Sequence, residues 1–531
     1  MKKIIVIFLT ILILISAACS LIKLGKFDYI IKNGKIVDGT GNPWYKSDIG
    51  IKGDKIAEIG KIPEEKGKKI IDASKKVVSP GFIDIHTHAD GGILRNPTAQ
   101  NYITQGVTTV VGGNCGGSEL NLSEFFKEIE LKEISLNFGT LVGHNTVRRR
   151  VMGNENREPT IEELEEMKKI VEQEMKSGAL GLSTGLKYLP GAYSKTEEVI
   201  ELAKVAAKFG GFYATHLREE GIGLVDAVKE AIEIGEKANI PVQISHHKVV
   251  SVDRWGDSKT TLELIEDARN RGIDVKDDQY PYPATSTGLA VLFPPWSLEG
   301  SKEKIEERFK NTKSRKKIKE EIIYNIIHDR GGKDLDNIRI ASYSKDKNIE
   351  GKSIKEILEM KGLTPDMESA AELILELYSN GNASAIYRCL SDEDIERIMK
   401  YPTTMHASDG SIVEMNKGVP HPRNYGTFPR VLSLYVREKG LITLEDAIRK
   451  MTSLPASRIG IRNAGIISVG KHADIVIFDP LNIKDRATWD KPHQYSEGIL
   501  YVFVNGEIIV ENGSITGELP GKIIYGQGRK K

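Results

Sequence analysis

Cysteine is scarce: three in 531 residues exclude a disulfide-stapled scaffold. An excess of one charge is also lacking, since 75 Lys and Arg face 74 Asp and Glu for a net of +1. That balance argues against a chain that grips nucleic acid through a basic face. Phosphate-binding loops are missing too. Gly351-Lys352-Ser353 has Asp346 where the upstream glycine belongs, and Gly221-Ile222-Gly223 has Asp226 where a dinucleotide fingerprint needs glycine. Beyond residue 15, no run approaches the about 20 apolar residues that a bilayer demands. What remains, 40% hydrophobic and 28% charged residues, is ordinary globular composition. At ~150 residues per domain the length leaves room for one large barrel and an accessory domain.

The first nineteen residues read as an address. Lys2 and Lys3, the apolar run 4–15 and the small residues Ser16-Ala17-Ala18 before Cys19 form a signal-peptide pattern. Small residues directly before a cysteine resemble a bacterial lipoprotein processing site, although Ile15 sits one place further upstream than usual. The expectation is an extracytoplasmic protein, touching the membrane only through lipid on Cys19, with plain secretion as the alternative.

From 20 to 79, short β-runs alternate with turns. Asn33-Gly34 predicts a hairpin between 29–31 and 35–37, and Gly53-Asp54 another between 49–51 and 55–59. The end of the chain, 463–531, repeats the theme with strands at 473–478 and 501–504 and turns at Asn505-Gly506 and Asn512-Gly513. A small β-sandwich domain built from both termini would spare each end an exposed strand edge. Between them, 80–462 alternates strands (179–183, 212–215, 241–245, 273–277) with helices (160–178, 196–209, 224–238, 260–271), the first opened by a Thr160/Glu163 capping box. Regular alternation predicts an α/β fold, a (β/α)8 TIM-like barrel. A Lys- and Glu-rich stretch around 289–381 reads as a helical insertion on a barrel loop, with solvated charges.

The chemistry-bearing residues fall where strands end. His86 and His88 follow a strand at a spacing of two, so both imidazoles can face one ion. His216 and His246 end two further strands, with His247 beside the second. Each alone is an ordinary polar residue; together they sit on the face where barrel enzymes keep their sites, and histidine is the commonest metal ligand. Cys115, in Gly112-Gly113-Asn114-Cys115-Gly116-Gly117, is a small buried hydrophobe, a disulfide partner for Cys389, a nucleophile or a thiolate ligand. Asp409, in Ser408-Asp409-Gly410, reads as a turn residue when taken alone.

In series these segments resemble the amidohydrolase superfamily, and within it the N-acyl-D-amino-acid deacylases. The matching stretches are Pro80-Gly81-Phe82-Ile83-Asp84 with His86-Thr87-His88, Gly106-Val107-Thr108-Thr109-Val110, Asn114-Cys115-Gly116 and Tyr213-Ala214-Thr215-His216. Further along come Ile244-Ser245-His246-His247-Lys248, Ser408-Asp409-Gly410, His421-Pro422-Arg423 and Gly426-Thr427-Phe428-Pro429-Arg430. The resemblance implies zinc on Cys115, His216 and His246, with His86 and His88 completing a second, weaker position. Many relatives bridge two metals with a carboxylated lysine; 179–183 has none, and the resemblance to the deacylase branch implies Cys115 in the bridging role. The resemblance also implies Asp409 as the acid/base, and Lys248, Tyr188, Arg423 and Ser286 as binders of a small-molecule N-acyl amino acid through its carboxylate. Arg423 offers a donor fork and Lys248 a point charge. The apolar run 289–296 is expected over the pocket, which would favour hydrophobic over acidic substrates. Alternatives are an amidohydrolase acting on cyclic amides or on short peptides with a D-residue, and a non-catalytic binding lipoprotein.

Overall fold

The computed structural model describes residues 25–529; the signal pattern and Cys19 lie outside the described residues. The chain starts with β1 (Phe27–Ile36), β2 (Tyr45–Lys52), β3 (Lys55–Gly60), β4 (Gly67–Asp72) and β5 (Val77–Pro80). β2 and β3 form an antiparallel hairpin around Gly53, whose φ is 54°. The hairpin expected at Asn33-Gly34 does not form. β1 runs straight through it, and its pairing with β2 shifts register between Ile31 and Gly34, a bulge with Asn33 at φ 61°. Straightness is enforced from the other side, where β4 and β5 both pair with β1 in parallel. Glycine is needed at 34, because a Cβ there would lie 2.6 Å from Val78 Cγ2.

The barrel follows with β6 (Phe82–Asp84), β7 (Val107–Gly112), β8 (Asn137–Thr140), β9 (Val142–Gly143), β10 (Gly181–Gly185), β11 (Phe212–His216), β12 (Val242–Ile244) and β13 (Val275–Gln279). β8 and β9 are one stave interrupted at Leu141: β8 pairs with β7, β9 with β10, and Leu180 N donates to Thr140 O across the junction. Strands such as Val107–Gly112 are buried throughout, as parallel strands covered on both faces must be. The covering helices are set by their ends. Ile161–Ser177 has its Thr160/Glu163 capping box and stops at Gly178, φ 115°.

The chain then leaves the barrel through β14 (Thr285–Gly288), β15 (Ile338–Ser342) and β16 (Ser384–Tyr387), a three-stranded antiparallel sheet. The insertion is therefore wider than 289–381 and not purely helical. Its strands are only four or five residues long, and β14 (Thr285-Ser286-Thr287-Gly288) has no apolar alternation to announce it. The run 289–296 does not cover the pocket either. Leu289, Leu292 and Phe293 are buried in the insertion's own core, with Phe293 stacked on Phe309 at 5.8 Å and against Tyr378 at 4.7 Å.

The last stave, β17 (Thr404–His406), pairs with β13. Asp409 N then donates to His86 O at 2.9 Å and His88 N to Gly410 O at 2.7 Å, returning the ring to the end of β6. Eight parallel staves close the (β/α)8 barrel. Finally β18 (Ile475–Phe478), β19 (Ile499–Val504), β20 (Glu507–Glu511) and β21 (Ser514–Ile515) complete the terminal domain, β18 docking antiparallel on β5. The expected sandwich takes the form of one hydrogen-bonded sheet of nine strands. The tail beyond it pairs with the barrel, Ile524 N donating to Phe138 O at 2.7 Å.

Candidate metal centre

Six side chains from five staves meet at the carboxyl ends of the barrel strands. His86 and His88 follow β6, Cys115 follows β7, His216 ends β11, His246 follows β12, and Asp409 follows β17. Three of these positions hold backbone conformations that L-residues avoid: Cys115 at φ 54°, His246 at φ 37° and Asp409 at φ 50°. Such strain, about 1–3 kcal/mol per residue, persists where the surroundings over-determine it, typically at functional sites. Gly116 helps Cys115 into place, because a Cβ there would lie 2.1 Å from Asn145 Oδ1.

The sulfur is the hub. Cys115 Sγ lies 3.4 Å from His86 Nε2, 3.4 Å from His246 Nε2 and 3.7 Å from His216 Nδ1. Two donors at about 2.3 Å (S) and 2.0–2.1 Å (N) from one zinc, at a tetrahedral angle, would be about 3.6 Å apart. The donor set thus fits that ion in both type and spacing. Two groups share the sulfur, Cys115 with His216 and His246, and Cys115 with His86, His88 and Asp409. Asp409 Oδ1 is 3.1 Å from His88 Nε2 and 3.5 Å from His86 Nε2, while its Oδ2 is 2.8 Å from Arg423 Nη1.

Charge reinforces the geometry. Burial pushes the Cys115 thiol up, but His86 and His246 beside it outweigh that and hold it well below its usual value, the thiolate form that metals require. Burial likewise raises Asp409, and the neighbouring Arg423, His246 and His88 more than reverse it, so its carboxylate stays ionised. His216 is pushed down to about 4, chiefly by burial, and so is a neutral donor.

Several contributors escape a sequence reading. Asp278, at the end of β13, accepts from His246 N at 2.7 Å and stands 3.1 Å from His86 Nδ1, fixing that ring. Glu220, four residues after His216, is buried beside the outer nitrogens of His216 (3.3 Å) and His246 (3.2 Å). Both are acidic residues that sequence alone reads as solvated; only the His216-x-x-x-Glu220 spacing hints otherwise. His247 turns away to Asp277 and Thr261, and Cys389 is a buried free thiol, not a partner of Cys115.

A cleft of about 570 Å³ opens over the centre, walled by Cys115, His246, Asp409, Tyr188, Arg423 and, from the insertion, Ser286, Thr287, Ser342 and Ser384. Tyr188 packs its ring 4.4 Å from that of His216, and its hydroxyl accepts from Thr287 Oγ1 at 3.2 Å. Arg423 lies over the Tyr280 ring and reaches Ser286 through the backbone carbonyl of that residue. Lys248 is behind the wall. Its Nζ is 2.5 Å from Glu220 Oε1 and 2.7 Å from His246 Nδ1.

An amidohydrolase family profile matches residues 69–310 and 368–510. A D-aminoacylase from Alcaligenes xylosoxydans xylosoxydans is 35% identical over 522 residues, covering 94% of this chain and 97% of that one. An N-acyl-D-aspartate deacylase from the same organism is 33% identical over 527 residues, 94% of this chain and 95% of its own length. Among solved structures, an N-acyl-D-glutamate deacylase from Bordetella bronchiseptica, complexed with zinc and a phosphonate mimic of the tetrahedral intermediate, superimposes with a TM-score of 0.80. It is 33% identical, over 94% of this chain and 99% of that one. The chain belongs to the amidohydrolase family.

Proposed function

We propose that the protein is a zinc-dependent hydrolase of N-acyl-D-amino acids, releasing a carboxylate and a free D-amino acid. The observation that carries this is the convergence of the Cys115 sulfur with three imidazoles at zinc spacing, in a chain similar along its length to deacylases of that substrate class. Cys115, His216 and His246 would hold one zinc; His86, His88 and Asp409 would complete a second, weaker position on the shared sulfur. Bound there, zinc activates water and polarises the amide carbonyl. Asp409 takes the proton of the attacking water and passes it to the leaving nitrogen, which needs it because an amide anion leaves poorly. Arg423, 2.8 Å from Oδ2, aims that carboxylate so that Oδ1 faces the histidines. Tyr188, Ser286 and Arg423 border the space for the substrate carboxylate, with Lys248 adding positive charge from behind.

The wall also bears on substrate choice. Ser286, Thr287, Ser342 and Ser384 make it hydroxyl-rich. The Lys and Arg residues lining the cleft are Arg423, already assigned to the α-carboxylate, and Lys417, paired with Glu414. This supports small or polar uncharged side chains over acidic ones. A screen of zinc-reconstituted enzyme on D and L pairs of N-acetyl methionine, asparagine and glutamate tests both levels. Turnover confined to the D series, lost on chelation and regained with zinc, is expected. Activity on L substrates alone would overturn the stereochemical reading, and preference for glutamate would overturn the side-chain reading. For the N-terminus we hold to lipid on Cys19 outside the cytoplasm; palmitate incorporation that persists in Cys19→Ala would refute it.

A further inference from the structure

Behind the zinc ligands lies a buried charge chain that reaches into the insertion. Glu220 is 1% exposed, yet one carboxylate faces four positive or protonatable groups. Its Oε1 is 3.2 Å from His246 Nδ1 and 2.5 Å from Lys248 Nζ. Its Oε2 is 3.3 Å from both His216 Nε2 and Arg330 Nη2. The two histidines turn their opposite nitrogens to the Cys115 sulfur. Glu220 therefore backs both imidazoles of the tighter metal group at once.

Arg330 is the member from outside the barrel. It follows the insertion helix Thr312–His328 and precedes β15, 110 residues from Glu220, and it is among the largest fully buried side chains of the protein. A guanidinium is kept in such a place only where its partners are fixed. The other side of Arg330 meets Asp329, whose carboxylate is also 3.2 Å from Lys187 Nζ, next in sequence to Tyr188 of the cleft. The two halves of Glu220 are not equally backed. Oε1 has Lys248 from the same loop as His246, whereas Oε2, beside His216, has among the described residues only Arg330 as its cation.

We propose that Arg330 is a positioning residue for the metal centre: it pins Glu220 against His216, so that the insertion walling the cleft also orients a zinc ligand. This rests on the zinc reading above. Docking of the insertion and retention of the metal are then one event, because the segment that shapes the substrate space supplies the charge that fixes the histidine.

The test measures zinc affinity of the full chain, by competition with a chromogenic chelator, beside thermal stability and kinetics at saturating zinc. Arg330→Met is expected to weaken zinc binding about 10–100-fold, the usual effect of losing an outer partner of a metal-bound histidine. Arg330→Lys, which keeps a charge on Oε2, recovers most of it. At saturating zinc the loss falls on kcat more than on KM, since Arg330 does not touch the cleft. A purely structural role lowers the melting temperature of Arg330→Met and leaves its zinc affinity unchanged, and that result overturns the proposal. If Arg330→Met does not fold, Asp329→Asn, which frees the guanidinium on its outer side, is expected to weaken zinc to a smaller degree; unchanged affinity there overturns it equally. Wild-type protein that binds no zinc refutes both readings, whereas wild type and Arg330→Met binding zinc alike refutes this one alone.

Discussion

Replacing Cys115 by alanine removes the one atom common to both metal groups. Structural zinc sites with four protein donors are worth roughly 10–16 kcal/mol, so one donor accounts for roughly 2.5–4 kcal/mol. At about 1.4 kcal/mol per factor of ten, the variant should bind zinc two to three orders of magnitude more weakly. The fold should survive, because alanine is smaller, the backbone at φ 54° is no harder for it than for cysteine, and no disulfide is lost. Chelator competition on zinc-stripped protein gives the affinity, and circular dichroism confirms folding. The matched control is Cys389→Ala. That thiol lies in the insertion core, where burial pushes it up to about 12, so it is neutral and unsuited to a metal. A Cys115→Ala protein with wild-type zinc affinity, or a Cys389→Ala protein that loses it, would refute the assignment of the sulfur.

Asp409→Asn leaves Cys115, His216 and His246 in place and should keep tightly bound zinc, while kcat for an N-acetyl-D-amino acid falls about 10²–10⁴-fold, the usual share of acid/base help; full turnover would remove Asp409 from the mechanism. Gly181→Ala would put a Cβ 2.0 Å from Phe212 O, backbone against backbone between β10 and the stave carrying His216. A loss of about 1–3 kcal/mol in urea unfolding is expected, and an unchanged midpoint would contradict the packing described. Asp474, bonded to Asn505 N at 2.7 Å, is raised by burial from 3.8 to about 6. The folded chain holds that proton more tightly than the unfolded chain, so this group favours folding below about pH 3.8, and the benefit, about 3 kcal/mol, is lost as pH climbs through 6. The stability of wild type minus Asp474→Asn should therefore decline between pH 4 and 7; a flat difference would count against it.

Local signals carried much of the fold. Asn505-Gly506 and Asn512-Gly513 are turns because asparagine and glycine tolerate the positive φ found there. The helix Leu224–Ala238 has the bounds that its periodicity predicts. Where a local signal failed, a distant partner had overruled it. Asn33-Gly34 would turn in isolation, but β5, some forty residues on, holds β1 straight. The sheet of the insertion was invisible because β14, β15 and β16 find one another only after long helical excursions. At the site, the side chains proposed to ligate or to move the proton sit in recognisable strand-end motifs. Those that hold them do not: Asp278 meets His86 across 192 residues and Arg330 meets Glu220 across 110. Nothing near Arg330 in sequence distinguishes it from a solvated arginine.

The sheet made from both ends has a cost in time. β5 is complete at Pro80, but the strand that covers its far edge begins at Ile475. Closing so long a loop is thermodynamically cheap, since each doubling of length adds only about 0.6 kcal/mol. On a ribosome adding about 5–20 residues per second, however, the intervening stretch takes roughly 20–80 s to emerge. Throughout that interval Val77 and Val78, fully buried in the finished protein, belong to an unpaired edge able to recruit other chains. Nascent chains therefore carry β5 as an open edge until β18 arrives, and shielding of that edge is expected to raise yield on expression.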